Sequence, residues 1–249
     1  MTALTVGVTT ARDPACKRGV ATNFAASLAR NHAVAARVCV VDGDPLALDV
    51  TTRLGVRGPV LEDFARPDVP TIGQLARLHS PPLAVLPGGG GGVGRAHYAA
   101  EHAVPRVRAA FDVVVVDLPG GPTGPGSIVG NRLDLLDWLV LCVTPESGAV
   151  AAAEHFLEMF DTARVHGEAE VKLAVVCTGD ESSAELTVAD LETALGVSVA
   201  GRIPQLWGRA EPNLGFGPAL AIPELDDAVY DVFMGFRLGR QYRSLTSAL

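Results

Sequence analysis

Short, mostly apolar runs recur along the chain, at residues 4–8 (LTVGV), 36–41 (ARVCVV), 83–86 (LAVL), 111–116 (FDVVVV), 137–143 (DWLVLCV), 171–177 and 197–203. They lack the polar alternation of a half-solvated sheet, and runs of this kind read as strands buried on both faces. Between them the period changes. Val20, Phe24 and Leu28 recur every four residues after Gly19, which makes one apolar stripe on a helix. Further helices are expected at 72–78, 97–110, 147–165, 188–195 and 226–242. Strands alternate with helices throughout, which predicts an α/β fold: a doubly wound, mostly parallel sheet with helices on both faces and right-handed crossovers. Val6 to Val8, Val38 to Val41 and Val113 to Val116 should lie at its centre. No internal repeat or linker interrupts the pattern, so residues 1–249 read as one domain.

Composition narrows the picture. Of 249 residues, 48% are hydrophobic and 19% charged, as suits a sheet covered on two sides. The net charge of −8 weighs against nonspecific nucleic-acid binding, and no run of Lys or Arg offsets it. Cys16, Cys39, Cys142 and Cys177 are far apart with no CxxC pair, as in a reduced, cytoplasmic protein. The first residues lack the pattern of a signal peptide, and no apolar run reaches the ~18 residues of a membrane span. The six histidines show no metal-ligand spacing.

The candidate chemistry stands at the ends of the expected strands, where open α/β sheets bind ligands. Asp42 and Asp44 follow the second strand in Asp42-Gly43-Asp44-Pro45, and Asp117-Leu118-Pro119-Gly120-Gly121 follows FDVVVV. A buried run closing in a carboxylate is the Walker B arrangement. Between the first strand and its helix lie Arg12-Asp13-Pro14-Ala15-Cys16-Lys17-Arg18, where a nucleotide-binding protein carries its phosphate loop. Such a loop needs glycines, because backbone N–H groups must close around phosphate oxygens; this one has none. A glycine-rich stretch does occur elsewhere. Gly89 to Gly94 fits GxxxxG, but Arg95-Ala96 follow where a phosphate loop has Lys and Ser or Thr. It reads as a flexible loop before a helix.

Four stretches together, VATNFAASLA, VVDGDP, FDVVVVDLPGG and LVLCVTPE, resemble the MinD/ParA group of deviant Walker ATPases of the SIMIBI class, including its CpaE or TadZ pilus-localisation branch. The later GRIPQLWGRAEPNLGFGPAL is similar to the family's segment after its last strands. The resemblance covers nearly the whole chain, in order and spacing. It implies that the phosphate-loop lysine falls on Lys17, the signature lysine on Arg12 and the magnesium-binding hydroxyl on Arg18. Asp44 matches the switch I aspartate, and Asp117 with Gly121 matches switch II. If magnesium binds, Asp44 and Asp117 are its ligands, and Asp44 is the catalytic candidate. The Asn the family often carries near the base is missing from Val-Val-Cys-Thr-Gly-Asp at 175–180.

The loop has lost its fit. Pro14 has no N–H to donate, Asp13 and Cys16 crowd the nest, and the Arg18 guanidinium has no lone pair for a metal. The expectation is a MinD/ParA-like protein with a degenerate loop, a pseudo-ATPase that hydrolyses nothing. It would act as a scaffold or positioning protein through protein partners, with no cofactor. The alternative is an atypical ATP-dependent dimerisation switch using ATP and magnesium. A metabolic ligase on the same fold would need a further acid, base or metal constellation. Any homodimer is expected to be independent of ATP, with Arg12 the residue that would cross to the partner. The C-terminal helix separates its polar and apolar sides poorly, so membrane association is not favoured. With no phosphate to hold it, Lys17, helped by Arg18, should pair with Asp117 or Asp44.

Overall fold

The computed structural model describes residues 3–12, 17, 19–30, 37–66, 70–77, 82–90, 93–120, 133–166, 171–178 and 184–203. The expected terminal helix at 226–242, Arg18 and Gly121 lie outside the described residues. The strands are β1 (Leu4–Thr10), β2 (Val38–Asp42), β3 (Ala76–Arg77), β4 (Leu83–Leu86), β5 (Val113–Asp117), β6 (Trp138–Val143), β7 (Lys172–Thr178) and β8 (Val199–Ile203). They form one sheet in the order β3-β4-β2-β5-β1-β6-β7-β8. Every pairing is parallel except β3 with β4. The helices are α1 (Val20–Arg30), α2 (Asp49–Leu54), α3 (Val93–Ala110), α4 (Ser147–His166) and α5 (Val188–Leu195).

The valine runs divide the core. Successive side chains on a strand point to opposite faces, so Val113 and Val115 join one core while Val114 and Val116 join the other. On the first face, Val6 and Val8 meet Val20, Phe24 and Leu28 of α1 and Val50 and Leu54 of α2. On the second, Val114 and Val116 meet Ala99, Ala103 and Val107 of α3, Phe156 and Phe160 of α4, and Leu191 of α5. Burial on both faces is what the unbroken apolar runs require. Cys39, Cys142 and Cys177 are buried in these cores. Desolvation raises the Cys39 thiol above its ordinary pKa. At α5, Thr187 accepts from the Asp190 N–H while Asp190 accepts from the Thr187 N–H, a capping box, and Gly196 in left-handed conformation ends the helix.

Two expectations are corrected. The helix foreseen at 72–78 is a single 3-10 turn, Ile72–Gln74, followed by β3. The Thr71 N–H donates to Gln74 Oε1 at 2.6 Å, which closes the turn. Ala76 and Arg77 then pair with Val85 and Ala84, pairings a continuing helix would forgo. The glycine stretch is also not a loose loop over its whole length. The helix begins at Val93 rather than near His97, and Gly88 is buried. A Cβ on Gly88 would stand 2.7 Å from Leu48 Cδ2 and 3.1 Å from the Asp42 carbonyl oxygen, and one on Gly89 would collide with the Glu62 carboxylate. These glycines let neighbours approach.

A candidate site at the strand ends

The parallel register aligns Asp42 of β2 with Asp117 of β5, so two carboxylates leave the sheet side by side. Gly43 follows at once. Its N–H donates to the Asp117 carbonyl at 2.9 Å, and a Cβ there would lie 2.8 Å from that oxygen. Only glycine permits this approach. It delivers the next residue, Asp44, to the same place.

Lys17 fills the space between them. Its Nζ donates to Asp117 Oδ1 at 2.8 Å and stands 3.2 Å from Asp44 Oδ2. All three side chains are almost wholly buried. This is the internal pairing expected from the sequence, with both carboxylates engaged rather than one. Burial pulls the Lys17 ammonium down, but attraction to Asp117 and Asp44 outweighs it, and its pKa is raised. Burial pushes the Asp117 carboxyl up to about 7, against the pull of Lys17 and with help from Asp42 and Asp44. Asp42 is also raised by burial, opposed by its bonds to Thr51. Among the described residues, one cation thus faces three carboxylates.

Each carboxylate has a second task. Asp44 Oδ1 accepts from the N–H groups of Leu46 and Ala47, both at 3.1 Å. Asp42 Oδ2 accepts from Thr51 N at 2.8 Å and Thr51 Oγ1 at 2.6 Å. Its other oxygen is buried with no hydrogen-bond partner among the described residues. The sequence flagged Asp42 beside Asp44, but not that it anchors the following segment. Asp49 was missed altogether. Its Oδ2 accepts from the Gly19 N–H at the start of α1, at 2.7 Å. The signal available was an Asp opening a helical stretch with Arg53 four residues on.

Of the remaining candidates, Arg12 is exposed, and its guanidinium lies over the place a Gly148 side chain would fill. It forms no ion pair with Asp42, Asp44 or Asp117. The magnesium that the resemblance implies does not fit the described arrangement. Lys17 already contacts an oxygen of each candidate ligand, and it is the resemblance that puts Arg18, which has no lone pair for a metal, in place of a hydroxyl. No group of three or more His, Cys, Asp or Glu suited to a metal occurs among the described residues.

By sequence, no family model and no curated protein matches the chain. By structure the match is extensive. The MinD cell division protein of Aquifex aeolicus aligns with a TM-score of 0.68 at 19% identity, over 94% of this chain and 98% of that one. The ParA family ATPase of Chlorobium tepidum TLS gives 0.71 at 18%, over 92% and 97%. The septum site-determining protein MinD complexed with Mg-ADP, from Pyrococcus horikoshii OT3, gives 0.68 at 15%, over 92% and 94%. The chain has the fold of the MinD/ParA-type P-loop NTPases.

Proposed function

We propose that this chain, as one MinD/ParA-type domain, is a non-hydrolysing positioning or scaffold protein that acts by binding protein partners. One observation carries the reading: Lys17, the residue aligned with the phosphate-binding lysine, is buried in ion pairs with Asp44 and Asp117. In an active relative these charges would be balanced by phosphates and magnesium. Here they pair with one another, and the loop sequence around them is a poor cradle: Pro14 lacks an N–H, and Asp13 would repel phosphate. On this reading no cofactor is required, and any homodimer forms without ATP. The protein works in the cytoplasm and reaches a membrane only through partners. No helix among the described residues is long and apolar enough to cross one.

A second reading has its own support. Lys17, Asp44 and Asp117 are all retained and stand together, which favours an atypical ATP-dependent switch in which Arg12 and Arg18 supply added charge. The Pyrococcus neighbour is described with Mg-ADP, and ATP with magnesium would be the ligand on this reading. Thermal denaturation with and without Mg·ATP separates the two. Ligand at ~100 times its dissociation constant adds ~2.7 kcal/mol, an easily seen shift. A flat response supports the scaffold reading. A clear shift in the wild type that vanishes in Lys17→Ala overturns it.

A further inference from the structure

We infer that residues 44–51 form a strained latch over the N-terminus of α1, with the Asp49 carboxylate as its catch. The inference rests on the reading that no nucleotide holds this segment, and it names what holds it instead.

The first N–H groups of a helix have no partner within the helix and carry partial positive charge, so a carboxylate is favoured there. Gly19, with φ of 76°, turns its N–H to Asp49 Oδ2 at 2.7 Å, across thirty residues of chain. Arg53, one turn further along α2, donates through Nε to both Asp49 oxygens at 2.9 Å. Its guanidinium lies 3.5 Å from where a Gly19 Cβ would stand. The Gly19 N–H at the start of α1 is therefore met by a buttressed internal anion.

Thr51 makes a second fastening. Its N–H and hydroxyl donate to Asp42, and its hydroxyl accepts from the Gly88 N–H at 2.8 Å. Asp44 makes a third, receiving the Leu46 and Ala47 N–H groups on its carboxylate and the Leu48 N–H on its carbonyl at 3.0 Å. Between these fastenings Leu48 is held at φ 46°, ψ 40°, a left-handed conformation that a leucine adopts only when its surroundings enforce it. No other non-glycine residue has positive φ among the described residues. The strain biases the segment toward opening, and the three fastenings hold it shut. Asp44 serves both the turn and Lys17, so opening the turn disturbs a partner of the buried lysine. At the tip Leu46 is 77% exposed. The segment thus links a surface side chain to the charge cluster.

Amide hydrogen exchange of the full chain tests this, with wild type, Asp49→Ala and Asp49→Asn compared. In Asp49→Ala the amides of Gly19, Leu46, Ala47, Leu48 and Thr51 should exchange at least tenfold faster, as a group, while those of β5 stay slow. Asp49→Asn keeps an acceptor oxygen and should restore most of the protection at the same amides. Acceleration at Gly19 alone, or at none of these amides, overturns the latch. If Asp49→Ala unfolds globally, shown by fast exchange in β5, Asp49→Asn decides. Intermediate acceleration shared by the whole group supports the latch, and acceleration confined to Gly19, or none, sinks it. Slowing of Leu46–Leu48 exchange by Mg·ATP in the wild type would remove the scaffold reading while leaving the latch to be judged by the variants.

Discussion

Two stretches of this chain look like phosphate loops, and their sequences depart from that pattern in opposite ways. The one after β1 keeps the lysine and has no glycine. The one after β4 is nearly all glycine and has no lysine. The structure accounts for a part of each. Lys17 is spent on two buried carboxylates. Gly88 and Gly89 are spent on the close approach of Leu48, Asp42 and Glu62. Glycine content alone is thus no evidence for a ligand, because packing against a bulky neighbour selects glycine as strongly as a phosphate does. On the scaffold reading, a lysine already paired with two buried carboxylates is kept for structure rather than for a reaction.

The strongest way to break the comparison is to remove the lysine. Lys17→Ala leaves Asp44 and Asp117 buried and unpaired, which typically costs ~3–5 kcal/mol. In a chain of this size that lowers Tm by roughly 6–20 °C, readable by calorimetry. If Lys17 instead waited for phosphate, the variant would melt within about 2 °C of wild type.

Gly88→Ala probes the other loop. In a loose loop the change stabilises by ~0.4–1 kcal/mol through the unfolded chain. Against Leu48 and the Asp42 carbonyl it should cost ~1–3 kcal/mol, as overpacking does. Urea denaturation reads the sign, and a stabilised variant would show that the glycine stretch is not packed.

The finest test is the pH dependence of the cluster. Asp117 and Asp42 are both raised above 3.8 in the folded protein, Asp117 to about 7. An acid whose folded pKa is raised holds its proton more tightly folded than unfolded, so stability is lost as pH rises through that window. Asp42→Asn removes one of these acids and one source of repulsion on Asp117. Its Tm relative to wild type should rise between about pH 4 and pH 7. A difference that is constant with pH would show that Asp42 carries no excess proton affinity.

The fold was legible because it rests on patterns that tertiary context reinforces. Stretches such as VCVV and VVVV can only be buried, and the stripe Val20, Phe24, Leu28 can only face a sheet. The two-residue β3 was not legible, since it is specified by pairing with β4 rather than by its own sequence. At the site, Asp44 and Asp117 were legible from their places at strand ends, and Lys17 from the family resemblance and from charge balance. Asp49 was not, because its partner is a backbone N–H thirty residues earlier. Leu48 was not, because nothing in its side chain announces a left-handed backbone.

The two-residue β3 also bears on how copies of this protein meet. Without it, β4 (LAVL) would expose a row of unpaired backbone groups on an apolar strand, a template for another chain. Ala76 and Arg77 cover Val85 and Ala84 in antiparallel pairing. The strand is too short to extend the sheet further, and the exposed Arg77 puts a charge on its outer border. This edge of the sheet is blunted against fibre growth, so strand addition there is a poor route to self-association.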